Sequence, residues 1–201
     1  MFDTIEPVKV ITIKKEQEHV KVSYPKIVNM KDKQVEQAIN HKIRELVMYL
    51  EEEGNLPDTT VDIRYTDKVN RNGVYSVVFV LFYYTEHAAH PMEIQKALTF
   101  STLTGKCYSF SDLFQPNSYY KTRLTRYVKG FVKDENIQLI HEIQPVSDEQ
   151  EFYLTNDSLV LFYQLYTYTP YVYGFLEVPI PLNDVRSMST IDSPIRQLTS
   201  R

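Results

Sequence analysis

The hydrophobic period changes four times along this chain, and that succession limits the fold more than any other feature. From Val8 to Tyr24 apolar residues alternate with polar ones, with Val8, Val10 and Thr12 and then Val20, Val22 and Tyr24 on one side, as in half-buried strands. Lys14–Glu18 reads as the turn between them, and Pro25, which has no N–H for a ladder, reads as an edge position or a strand end. The spacing then lengthens. Val35, Ala38, Ile39, Ile43, Leu46, Val47 and Leu50 recur at three and four residues, which predicts one helix from Asp32 to Glu53. Asn29 or Asp32 is its candidate cap, Gly54 its left-handed stop, and Pro57 follows.

Period two then returns. Thr59–Val69 and Val74–Thr85 flank Asn72-Gly73, the strongest short hairpin signal because both residues accept positive φ. The second of these strands is apolar without a break from Val77 to Tyr84, which predicts a central strand covered at least in part on both faces. Met92–Ser101 reads as a further strand, and Lys106–Phe110 as its short partner after the Thr104-Gly105 turn. Ser111–Phe114 reads as a local turn. A second helix is predicted from Asn117 to Glu135, with Tyr120, Leu124, Tyr127, Val128, Phe131 and Val132 inward. Phe152–Thr155 and Ser158–Tyr168 form a second hairpin, Phe175–Ile180 a last strand, and a polar tail follows. Strands arrive mostly in hairpins, so the fold class is α+β with mostly antiparallel sheet and two main amphipathic helices. One domain over residues 1–201 is the simplest organisation; a division into two related lobes near Asn117 is the alternative.

Composition excludes several classes of function. The 201 residues carry a net charge of −4, against a general nucleic-acid binder that works by neutralising phosphate. A single cysteine, Cys107, rules out an internal disulfide framework and a cysteine-rich zinc module. With only five glycines and no G-x-G-x-x-G, P-loop or G-x-S-x-G, phosphate cradles and a nucleophile elbow are not expected. The run Val77–Tyr84 is far shorter than the roughly 20 residues of a membrane-spanning helix. Met1–Pro7 lacks the basic start and apolar stretch of a secretory signal, so the chain as read is expected in the cytoplasm.

Several motifs occur in one order: His87-Ala88-Ala89-His90-Pro91, Thr102–Lys106, Ser111-Asp112-Leu113-Phe114, Phe152–Leu161 and Thr169-Pro170-Tyr171-Val172-Tyr173-Gly174. From about Val20 to Val185 they resemble a bacterial domain family of unassigned general function. That family is found in the extracellular part of RsiV-like, lysozyme-binding anti-sigma factors of bacilli and beside the catalytic part of a peptidoglycan deacetylase. The resemblance implies an α+β domain of two related lobes, a binding role without catalysis, a lysozyme-like protein or cell-wall glycan as partner, and an extracellular place if the chain is a trimmed one. Where the family usually has a glycine before Ala88, this chain has His87.

The residues supply their own candidates. Tyr163, Tyr166, Tyr168, Tyr171 and Tyr173 crowd around Pro170, and Tyr83 with Tyr84 approaches the histidine loop. Tyrosine joins a rigid apolar ring to a polar tip, which suits protein interfaces and sugar stacking. The expected partner-binding residues are therefore Tyr166, Tyr168, Pro170, Tyr171 and Tyr173, with His87 and His90, while Tyr163 belongs in the sheet. His87 and His90 with Glu86 could also approach a zinc ion and support a metal-dependent hydrolase. Against that, Pro91 disfavours a helix at His90, and His19, His41 and His141 are scattered. Loop packing, with His90 hydrogen-bonded before Pro91, is preferred. Cys107 beside Lys106 reads as a structural thiol, and Asp112 as a turn cap; neither Asp112, Glu86 nor Glu177 pairs into an acid–base set. On the second helix Arg126, Lys129 and Lys133 share a face that could meet an anionic polymer, although a solvated face is the commoner case. The expectation is a binding domain with no catalytic residue, metal or cofactor, acting as a monomer or weak homo-oligomer. An intracellular interaction or structural protein with another partner is the alternative.

Overall fold

The structure is a computed structural model that describes residues 5–200; Met1–Thr4, part of the segment read for an export signal, and Arg201 lie outside the described residues. The architecture is α+β, as the patterning predicts. The chain divides into two compact units, the first ending at Cys107 and the second beginning at Tyr108.

In the first unit β1 (Lys9–Gln17), β2 (Val20–Val28), β3 (Thr59–Arg71), β4 (Val74–Thr85) and β5 (Met92–Ser101) lie side by side in chain order. Three of the pairings are antiparallel; β2 and β3 run parallel over Val20–Val22, because α1 (Lys33–Glu53) carries the chain back between them. The β1–β2 turn falls at Glu18-His19 rather than across Lys14–Glu18. Pro25 lies inside β2, opposite Thr12 of β1 and beyond the stretch that β3 shares, so its missing N–H breaks no β3 ladder.

Asp32 caps α1, its carboxylate accepting from the amides of Gln34 (2.9 Å) and Val35 (3.2 Å). Gly54 closes the helix at φ −84°, in the right-handed region rather than the left-handed one. Its need for glycine is spatial instead: a Cβ there would stand 3.0 Å from Val61 Cγ2. The apolar stripe of α1, with Ile39, Ile43, Val47 and Leu50 buried, packs on Val22, Ile27, Ile63, Phe79, Leu81 and Phe100 of the sheet. Within this core sits the amide of Asn40. It accepts from the Ile27 N–H and donates to the Ile27 carbonyl, both at 2.8 Å, supplying the pairing that β3 does not reach. Asn72 and Gly73 make the β3–β4 turn with φ of 52° and 79°. Lys106–Phe110 forms no strand; one bridge from Cys107 to Phe100 is all that pairs, and the Cys107 thiol packs against the core.

In the second unit β6 (Phe152–Leu154), β7 (Ser158–Tyr163) and β8 (Leu176–Pro181) form an antiparallel sheet with β7 central. α2 (Tyr120–Asp134) buries Tyr120, Leu124, Val128 and Val132. It starts later than its pattern suggests because Tyr119 takes a left-handed φ of 54°. Phe110, Phe114, Tyr120 and Phe152 form an aromatic cluster, with Phe114 and Tyr120 stacked at 4.5 Å between centroids. Burial, together with a hydrogen bond to the Asp148 carboxylate, pushes the Tyr120 phenol up to about 12. The polar tail expected after Ile180 is folded: α3 (Leu182–Arg186) and α4 (Pro194–Thr199) bury Leu182, Val185, Ile195 and Leu198. Helices this short carry too few residues for a 3.6-residue period to emerge from the sequence.

Candidate functional site

The site is best built from the end of α2. Its last turn closes with a helix-stop motif: Asn136 takes a left-handed φ of 52°, its N–H bonds to Lys133 O (3.1 Å), and the next amide, Ile137, bonds back to Val132 O (2.9 Å). After that reversal Ile137, like Phe131 of α2, lines a cleft. Pro170, Val172 and Tyr173 line it as well. The cleft encloses about 450 Å³, and Glu135, Asn136 and Gln138 add polar groups to it.

Pro170, Val172 and Tyr173 belong to the tyrosine loop. β7 ends at Tyr163, five residues before its alternation suggests, because Gln164 O accepts from Thr167 N–H (3.1 Å) and Tyr166 takes φ 63°. Tyr171–Tyr173 then makes one 3₁₀ turn, held by amide bonds from Tyr173 to Pro170 O and from Gly174 to Tyr171 O, both 3.0 Å. Gly174 ends it at φ 80°, ψ −154°, a conformation reserved for glycine although the space beside it is open.

The expected partner-binding tyrosines therefore separate. Val172 is 92% exposed, Tyr173 46% and Tyr166 42%, and the Tyr166 and Tyr171 rings lie 5.9 Å apart. Tyr168 is different: only 7% of it is exposed, its ring meets that of Tyr163 edge-on at 4.9 Å, and its hydroxyl accepts from Gln144 N–H (3.1 Å). Tyr168 is thus part of the base that supports the loop, leaving Tyr166, Tyr171 and Tyr173 nearer the surface. Tyr163 lies in β7, where burial raises its phenol well above the usual range and its hydroxyl has no hydrogen-bond partner among the described residues.

His87 and His90 belong to the first unit, in the β4–β5 loop. His87 is exposed and takes φ 67°, so it occupies the backbone region that a glycine would favour at the start of this loop. His90 Nδ1 lies 2.9 Å from the Pro91 carbonyl, the loop-holding bond expected for it. Among the described residues no three of His, Cys, Asp and Glu converge as a metal site would require. Asp112 accepts from the amide (2.8 Å) and hydroxyl (2.7 Å) of Ser109, tying the Ser111–Leu113 turn back to the residues before it; the N-cap of that turn is Phe110, so Asp112 is not the side-chain cap its sequence position suggests.

Residues Leu139 and Ile140 had no sequence signal of their own. They follow the helix stop, are exposed, and are tied to the tyrosine loop by the Ile140 N–H, which bonds to Tyr168 O at 2.8 Å. Asn136 followed by an apolar residue was the available clue.

Comparison with known proteins bears on the second unit first. Residues 111–183 match the model of DUF3298, a family described as proteins of unknown function; the match contains α2, β6, β7 and the tyrosine loop. In fold, the chain is similar to the crystal structure of a DUF3298 family member from Bacteroides fragilis NCTC 9343, with a TM-score of 0.71 at 16% identity, covering 99% of this chain and 98% of that one. It is likewise similar to a DUF3298 family protein from Pseudomonas aeruginosa PAO1, with a TM-score of 0.69 at 13% identity, covering 96% and 97%. No curated protein matches the chain. Among the described residues no helix is long and apolar enough to cross a membrane.

Proposed function

We propose that the chain is a non-catalytic binding domain that receives its partner on the tyrosine loop and the cleft beside it. The observation that carries this reading is the contrast within one loop. Val172 and Tyr173 project from a turn whose base, Tyr168 with Thr169, is buried and hydrogen-bonded. An apolar tip on a rigid base loses little conformational entropy when it is covered, and that is the economy of a recognition loop. Glu135 and Gln138 at the cleft add groups that can select a partner by polar contact.

The RsiV-like resemblance supplies the partner class: a lysozyme-like protein or a cell-wall glycan. Calorimetric titration of the chain with hen-type lysozyme and with soluble muropeptides tests it. Saturable binding of either, weakened by Tyr173→Ala and by Val172→Asp, is the expected result. Silence toward both, or binding that neither substitution alters, contradicts the proposal.

A further inference from the structure

A second cleft, of about 540 Å³, lies on another side of α2, between that helix, β8 and α3. Its floor is apolar, made by Leu124, Ile180 and Val185. Its rim carries Arg123 and Arg126 from α2 and Asp184 from α3. In a chain of net charge −4, α2 gathers Lys121, Arg123, Arg126, Lys129 and Lys133 with no acid before Asp134. Lys121 is occupied by Asp148 at 2.5 Å, but neither arginine side chain makes an ion pair or hydrogen bond among the described residues, and Asp184 pairs with neither of them.

Opposite charges that line one cleft without meeting across it leave both free for a ligand. Tyr127 also lines the cleft, and its hydroxyl donates to Pro179 O (3.3 Å), which ties α2 to β8 there. The volume falls within the range of small-ligand sites. Guanidinium groups match a carboxylate by paired N–H donors, and a lone carboxylate matches an ammonium. We propose that this cleft takes a small zwitterion of amino-acid or dipeptide type. Its carboxylate lies between Arg123 and Arg126, its ammonium faces Asp184, and its side chain rests on the apolar floor. The site is separate from the tyrosine loop and does not depend on that loop's role.

Titration of the whole chain with glycyl-leucine tests this, monitored by heat and by the arginine Nε resonances. Saturable binding is expected, and removing either charge, in glycyl-leucinamide or N-acetylglycyl-leucine, weakens it about tenfold or more, as loss of a charge-assisted hydrogen bond does. Arg123→Ala/Arg126→Ala weakens the parent dipeptide comparably. Asp184→Asn weakens the parent but leaves the acetylated form unchanged. No saturable binding of glycyl-leucine, equal binding of the three ligands, or inorganic phosphate binding as tightly as the dipeptide overturns the proposal. The ligand analogues keep the test decisive even if the double variant folds poorly.

Discussion

The amide of Ile140 donates to the carbonyl of Tyr168 at 2.8 Å, and four residues later the amide of Gln144 donates to the Tyr168 hydroxyl at 3.1 Å. One tyrosine thus holds the segment that follows α2 at two points, Ile140 and Gln144. Tyr168→Ala is expected to cost about 3–5 kcal/mol, the range for emptying a buried aromatic site. Tyr168→Phe, which keeps the ring, is expected to cost about 1 kcal/mol or less. Urea denaturation of both variants measures the difference, and partner binding by the Phe variant is expected to survive.

The helix stop makes a second prediction. Asn136 holds a left-handed φ of 52°. Asn136→Gly is expected to be neutral or slightly stabilising, whereas Asn136→Ala is expected to destabilise by about 1 kcal/mol because alanine pays a steric cost there. Thermal unfolding of the two variants side by side reads the sign.

Gly174 carries a heavier constraint, since φ 80° with ψ −154° is open to glycine almost alone. Gly174→Ala is expected to cost about 1–3 kcal/mol by strain, with no contribution from crowding. Denaturation midpoints check the magnitude.

Much of this fold was legible in the chain, and the places where it was not share a physical reason. The α1 period, the Asp32 cap and the Asn72-Gly73 turn are local signals repeated over many residues or tied to one backbone conformation, so they survive any tertiary context. The role of Gly54 depends on a neighbour far along the chain, the closely approaching Val61, so the sequence shows a helix stop there but not its spatial reason. The tyrosine cluster was visible as composition, yet its division into a buried Tyr168 and an exposed Tyr173 was not. Turn closure between Gln164 and Thr167 reverses the alternation there, and no strand pattern encodes that. Leu139 and Ile140 were silent because two apolar residues have no period.

Asn40 and Ile27 give a prediction for the first unit. The side-chain amide of Asn40 satisfies both backbone groups of Ile27 inside the core. Asn40→Leu leaves a buried donor and acceptor without partners and is expected to destabilise by about 2–4 kcal/mol, summed over two unmet groups. Equilibrium denaturation detects it.

Alkaline pH acts through the phenols. Burial first, then Asp148, raises the folded Tyr120 phenol to about 12, and burial raises Tyr75, Tyr153 and Tyr163 as well. A group raised on folding contributes stability that is complete below its unfolded value, near 10, and is lost as pH climbs through the folded value. Phenolate absorbance is therefore expected to include a late phase near 12, from Tyr120, that rises together with loss of far-ultraviolet ellipticity. A single phase near 10 in the folded chain contradicts the burial of these hydroxyls.

The most direct test of the recognition loop compares Tyr173→Ala with the parent chain for binding to lysozyme and muropeptides, at matched thermal stability. Because Tyr173 projects outward, the account predicts an unfolding free energy within about 0.5 kcal/mol of the parent and at least a tenfold loss of affinity, the usual scale for an aromatic anchor. Unchanged affinity, or a loss explained by unfolding, contradicts it.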